Sequence, residues 1–184
     1  MTIIVAITGA SGVQYGIRLL EVLRELGTET NLIVTENGRQ LIEIETHFDS
    51  NYVMSLADQA YDENDLAAPM ASGSHISDGM VIIPCSVKTL GSIASGISSN
   101  LVTRAADVCL KEKRKLILVV RETPLSAIHL GNMLKVAQSG AVIVPASPGF
   151  YTHPATISDL IDTIVARVLD LLQLRHSLSR RWAD

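Results

Sequence analysis

The sequence predicts an α/β protein in which a mainly parallel sheet carries helices on both faces. Three observations carry that reading. Short, continuous apolar runs at 3–8, 32–34, 80–83, 116–120 and 141–144 have the character of strands buried on both sides. Segments with helical apolar spacing separate them, so strand and helix alternate along the chain. Gly27, Pro84, Gly96 and Gly140 fall at the joints between these segments.

The run 3–8 is the first strand. Ser11 is placed to cap the following helix, whose apolar stripe is Ile17, Leu19, Leu20, Val22 and Leu23 and whose stop is Gly27. Residues 32–34 form a second strand and 38–45 a helix. The polar stretch 46–78, with Asn51, Asp58, Asp62, Asn64 and Asp65 as turn formers, predicts short helices and an ordered loop. A third strand, 80–83, ends at Pro84, and a short helix starts near Ser86. Residues 96–100 break the pattern before a helix at 101–111 and a fourth strand at 116–120. Pro124 opens a helix running to about Ser139, followed by a fifth strand at 141–144 and a loop over 145–154. Thr156-Ile-Ser-Asp opens a last long helix carrying Leu160, Ile161, Ile164, Val165, Val168, Leu169 and Leu172.

The chain has 184 residues, enough for one domain over 1–184. Its apolar content is 47% and its mean hydropathy is positive. Both exceed what a small domain needs for its own core, which points to apolar surface buried between subunits, with the tail from about residue 173 packing on a neighbour. The formal net charge of −4 argues against nucleic-acid or polybasic membrane binding. The short apolar run at the N-terminus lacks a basic region before it, so it does not read as a signal peptide. No apolar run approaches the length of a membrane span. Cys85 and Cys109 lack metal or redox spacing and sit in apolar company, as expected of reduced core residues in a cytoplasmic protein.

In a parallel sheet of this kind, ligands sit beyond the carboxyl ends of the strands. Those ends are Thr8 to Gly12, Thr35, Pro84 to Thr89, Arg121-Glu122 and Pro145 to Tyr151, and all five are expected to build one site. Thr8-Gly9-Ala10-Ser11-Gly12 would aim amides and a helix N-terminus at a phosphate. The stretch is neither a P-loop nor Gly-x-Gly-x-x-Gly, and alone it is equally a tight turn without a ligand. Ser72-Gly73-Ser74 and Ser86-Val87-Lys88-Thr89 are further hydroxyl clusters, each also readable as a helix cap. Arg104, Lys111, Arg121 and Arg167 stand in apolar or small-residue surroundings. Arg121 directly follows a buried strand, where a guanidinium suits a phosphate or a carbonyl, and Glu122 beside it is able to move protons. The five histidines show no metal-ligand spacing.

Taken together these residues resemble the flavin prenyltransferase (UbiX-like) family. The resemblance rests on Thr8-Gly-Ala-Ser-Gly12, Ala71-Ser-Gly-Ser74, Pro84-Cys-Ser-Val-Lys-Thr-Leu90, Thr103-Arg-Ala-Ala-Asp107, Leu110-Lys-Glu112, Arg121-Glu-Thr-Pro-Leu125, His129-Leu-x-Asn-Met133 and Pro148-Gly-Phe-Tyr151, in family order and spacing. It implies a flavodoxin-like, Rossmann-type three-layer fold and a dodecamer. It also implies metal-independent transfer of a dimethylallyl group from dimethylallyl phosphate to N5 and C6 of reduced FMN. The product, prenylated FMN, would serve a UbiD-type decarboxylase.

Carried over, the resemblance assigns FMN to Gly9, Ala10, Ser11, Thr35, Ser86, Val87, Lys88, Thr89, Arg104 and Arg121. It assigns the prenyl phosphate to Ser72, Lys111, Tyr151, Arg167 and the C-terminal Trp182. Ser11, Glu45, Lys111 and Glu122 are the catalytic candidates, and in a dodecamer these sets come from different subunits. Two alternatives stand beside this reading. One is an FMN-dependent cysteine decarboxylase using His75, because related decarboxylases carry a His-Ile pair like His75-Ile76. The Arg121-Glu-Thr-Pro-Leu125 motif favours the prenyltransferase branch, leaving His75 as a polar loop residue near the site. The other alternative is a non-catalytic flavin-binding subunit.

Overall fold

The computed structural model describes residues 1–179. Six strands form one sheet, β1 (Thr2–Ile7), β2 (Glu29–Val34), β3 (Gln59–Asp62), β4 (Gly79–Cys85), β5 (Lys115–Val120) and β6 (Val142–Pro145). Every pairing is parallel and the spatial order is 3-2-1-4-5-6. This is the doubly wound, Rossmann-type arrangement within the expected flavodoxin-like three-layer class, and its switch point lies between β1 and β4.

Alternating side chains of each strand feed two cores. Ile3, Val5 and Ile7 of β1 face α1 (Val13–Glu25), α2 (Glu36–Glu45), α3 (Ser50–Ser55) and α7 (Ile157–Leu171). Ile4 and Ala6 face α4 (Val87–Ala94), α5 (Leu101–Lys111) and α6 (Ala127–Gln138). Central strands buried on both faces must be apolar throughout, which is why their runs were continuous in the sequence.

Four expectations change. The stretch 46–78 holds α3 and a 3₁₀ turn at Pro69–Ala71, as expected, but also β3, an edge strand whose residues Gln-Ala-Tyr-Asp are mostly exposed. An edge strand needs no apolar run, so it left no signature. β4 does not stop at Pro84; it continues to Cys85 through a cis Ile83–Pro84 bond, with its register to β5 shifted beyond Ile82. Pro84 fits there because that stretch of ladder is already irregular. Helix α6 starts at Ala127, capped by Ser126 with His129 completing a capping box, and Pro124 lies in the preceding loop. Finally, Gly12 rather than Ser11 stands at the cap of α1, with φ 100° and no side-chain cap. Among the described residues, no helix is long and apolar enough to cross a membrane.

Candidate active site

Two loops meet at the switch point, and one hydroxyl ties them. Thr8, buried after β1, donates through Oγ1 to the Pro84 carbonyl at 2.7 Å and accepts from the Ser86 N–H at 2.9 Å. The β1–α1 turn and the β4–α4 turn are therefore one hydrogen-bonded unit. The first turn also packs tightly on α2, since a Cβ at Gly9 would stand 2.5 Å from Asn37 Cβ.

The α1 N-terminus is already occupied. Glu45, at the end of α2, accepts from Gly12 N–H at 2.8 Å and Val13 N–H at 3.4 Å. A carboxylate from 33 residues away thus performs the capping expected of Ser11. The side chain of Ser11 is left facing the rim cavity.

At α4 the situation is reversed. Ser86 Oγ accepts from Thr89 N–H at 3.2 Å and donates to Thr89 Oγ1 at 3.0 Å, whereas the N–H groups of Val87 and Lys88 have no acceptor among the described residues. Bare first-turn amides, two hydroxyls and the Lys88 ammonium make an anion seat. Thr35 caps α2 by accepting from Gly38 N–H at 3.1 Å. Glu63, following β3, accepts from Glu36 N–H at 2.5 Å and from Asn100 Nδ2 at 2.7 Å, and its carbonyl takes the Leu101 N–H.

These groups line one cavity of about 350 Å³. Gly9, Ala10, Ser11, Thr35, Ser86, Val87, Lys88, Thr89, Arg121 and Glu122 all border it, so four of the five predicted strand ends do converge. Arg121 and Glu122 are exposed there. Burial pushes the Tyr15 phenol up, and the positive charge of Arg121 pulls it partly back. The size and donor set suit a phosphorylated ligand with a planar polar ring. Glu36, Asn37, Glu63 and Asn100 complete the wall. Glu63 carried no signal in the local pattern, because it follows the mostly exposed edge strand that periodicity missed.

The remaining predicted residues lie elsewhere on the chain. Tyr151 and Arg167 line a separate cavity of about 410 Å³ between β6 and α7. Arg104, on α5, donates from Nε to the Ala71 carbonyl at 2.9 Å and pairs with Asp107 at 2.9 Å. Lys111, at the far end of α5, pairs with Glu112 beside Gly73, and Ser72 Oγ is 2.9 Å from Ser74 Oγ. The segment 71–78 leads into the first residue of β4, at the amino edge of the sheet. Lys111 and His75 are therefore at the opposite edge from the rim cavity of the same chain. Arg114 holds the His75 backbone carbonyl, and the His75 Nε2 is buried without a partner among the described residues. One chain thus holds the predicted set in three places, the rim cavity, the β6–α7 cavity and the amino edge. Trp182 lies outside the described residues. Cys85 and Cys109 are buried and free, as expected, with desolvation pushing their thiols up to about 12 and about 11.

Fold and rim together define an α/β protein built to seat a phosphorylated ligand at the switch point of its sheet, and a family model described as Flavoprotein matches residues 1–169. A probable UbiX-like flavin prenyltransferase of Streptomyces sp. (strain D7) is 50% identical, covering 100% of this chain and 92% of the relative. Flavin prenyltransferase UbiX of Thermoplasma acidophilum is 47% identical over 99% of this chain and 100% of its own. The chain belongs to the UbiX-like flavin prenyltransferase family. The crystal structure of AnUbiX (PadA1) in complex with FMN and dimethylallyl pyrophosphate has a TM-score of 0.98 at 49% identity, covering 100% of this chain and 97% of that one. A dodecameric FMN-dependent UbiX-like decarboxylase from Escherichia coli O157:H7 also has a TM-score of 0.98, at 48% identity and full coverage of both chains. The peptidyl-cysteine decarboxylase EpiD, 17% identical with a TM-score of 0.67 over 94% of this chain and 98% of that one, shares the fold alone.

Proposed function

We propose that this chain is a flavin prenyltransferase that joins the dimethylallyl group of dimethylallyl phosphate to N5 and C6 of reduced FMN without a metal, as a homo-oligomer of dodecamer type. The observation that carries the reading is the convergence of the α4 anion seat, the Thr8–Ser86 tie and Arg121 on one cavity, in a chain superposing on an FMN complex of 49% identity. Ser86 to Thr89 hold the flavin phosphate, Arg121 faces the ring, and Gly9, Ala10, Ser11 and Thr35 shape the wall against it.

Reduced FMN would supply the two ring atoms, N5 and C6, that bond the opposite ends of the allyl unit. The chain must stabilise the leaving phosphate and accept the proton lost when the second bond closes. Tyr151 and Arg167, with Lys111 and Ser72, are the donors for the phosphate, where preorganised positive charge counters the charge that develops on departure. Glu122, exposed at the rim, accepts the proton. Because these donors lie on two parts of one chain, both apart from the rim cavity, copies of the chain complete each site together, and the positive mean hydropathy fits such burial. The product passes to a UbiD-type decarboxylase. Two free buried thiols fit a cytoplasmic setting.

Anaerobic incubation with reduced FMN and dimethylallyl phosphate tests the reading. A flavin heavier by one prenyl group is expected. Carbon dioxide release from a cysteinyl substrate, or tight FMN binding without a mass change, would replace it with the decarboxylase or the non-catalytic reading. Mixing two inactive variants, Arg121→Ala and Arg167→Ala, tests the shared site. Activity returns on mixing where copies complement, and stays absent where each chain builds its site alone.

A further inference from the structure

Helices α1, α2, α4 and α5 all begin at the rim cavity, yet their N-termini are treated differently. At α1, the Glu45 carboxylate holds the amides of Gly12 and Val13. At α2, the Glu63 carboxylate holds the Glu36 N–H, and the exposed Glu36 adds a further negative charge in the first turn. At α5, the Asn100 and Thr103 capping box and the Glu63 carbonyl take three N–H groups. Only α4 presents two consecutive N–H groups without an acceptor among the described residues, and it carries Lys88.

We infer that Glu45, Glu63 and Glu36 are specificity residues: by filling or flanking the α1 and α2 N-termini with carboxylates they leave one phosphoryl seat at the rim, so the cleft accepts a flavin with a single terminal phosphate and rejects its adenine dinucleotide. The inference rests on the FMN reading above and adds the reason for mononucleotide choice. Helix N-termini ordinarily attract phosphates through bare amides and the positive end of the helix dipole. In a doubly wound sheet of this strand order, a dinucleotide runs across the switch point and places its second half over β2 and β3. Here that side presents Glu36 and Glu63. A second phosphate would find the Gly12, Val13 and Glu36 amides taken and like charge in their place. At an effective dielectric of about 20, two like unit charges about 12 Å apart change an affinity about tenfold.

The test titrates the full-length, assembled protein with FMN, FAD and riboflavin, followed by flavin fluorescence. Wild-type protein is expected to bind FMN about 1,000-fold more tightly than FAD, the effect of three such charges. Glu45→Gln, Glu63→Gln and Glu36→Gln should each narrow the FMN-to-FAD ratio by about tenfold. Glu36 is exposed, so its variant keeps the test decisive if Glu63→Gln fails to fold. Ratios within about twofold of wild type in every folded variant, or a wild type that binds both flavins equally, overturn this inference while leaving FMN binding intact. A wild type that binds no flavin overturns the FMN reading and this inference with it.

Discussion

Gly16 offers the sharpest test of how the sheet positions the site. It lies on α1 where the helix crosses β1 and β4, and a Cβ there would stand 2.4 Å from the Ile83 carbonyl oxygen, 2.8 Å from Ile7 Cγ1 and 3.0 Å from Ile7 Cδ1. Ordinary contact begins near 3.5 Å, so Gly16→Ala must push α1 away from the sheet by roughly 1 Å. Overpacking of this kind costs about 1–3 kcal/mol, and the better helix propensity of alanine returns about 1 kcal/mol. The closest contact is a backbone oxygen that cannot rotate aside, so the cost falls at about 2–3 kcal/mol and the expected net loss is about 1–2 kcal/mol, or roughly 2–8 °C in thermal midpoint for a domain of this size. The displaced helix carries Gly12 and Val13 with it, and therefore the turn tied to Glu45 and to the flavin cavity. FMN affinity should fall as well, because an error of about 1 Å in a binding wall is felt at the ligand. Thermal melts at fixed chain concentration, paired with FMN titration, provide the check. A variant as stable as wild type, with unchanged FMN affinity, would refute direct backbone contact between α1 and the sheet as the device that sets the turn.

Three further outcomes follow from the structure. Ile128 and Leu134 of α6 are 74% and 60% exposed on a helix that buries only Val136, so Ile128→Asp with Leu134→Asp should shift the assembly to smaller species in sedimentation velocity. With their thiols pushed up to about 12 and about 11, Cys85 and Cys109 should resist iodoacetamide in the native protein at pH 8 and react after denaturation. Asp159 accepts from the Ala155 and Thr156 N–H groups, which lower its carboxyl below the ordinary value. The stabilisation of the α7 start by Asp159 is complete above the unfolded value of about 4 and is lost as pH falls through the lower folded value. Asp159→Asn should remove that part of the acid-side drop in thermal midpoint.

The central strands were legible because burial on both faces demands unbroken apolar runs. Helix α5 was legible at both ends, since Asn100 and Lys111 are a cap and a terminal base in sequence as in space. Strand β3 was not, because exposure on an edge removes the demand for apolar side chains. The anion-binding loops were legible as small-residue turns at strand ends, and Ser86 behaves as the cap that its position predicts. What local pattern hides is which carboxylate reaches which helix. Glu45 and Glu63 reach α1 and α2 only through the crossover topology, so the α1 turn read as an open phosphate grip when its amides are already engaged. Tyr151, Arg167 and Lys111 read as one set through motif order, yet a single chain distributes them over the β6–α7 cavity and the amino edge.

Thr8 has a consequence for the order of events. One side chain closes a lock between the two halves of the doubly wound sheet, donating a hydrogen bond to the Pro84 carbonyl and accepting one from the Ser86 N–H. Neither turn moves without breaking both bonds of that hydroxyl. The floor of the cleft is thus cast by the chain's own hydrogen bonds, at the seam where the two halves of the sheet meet.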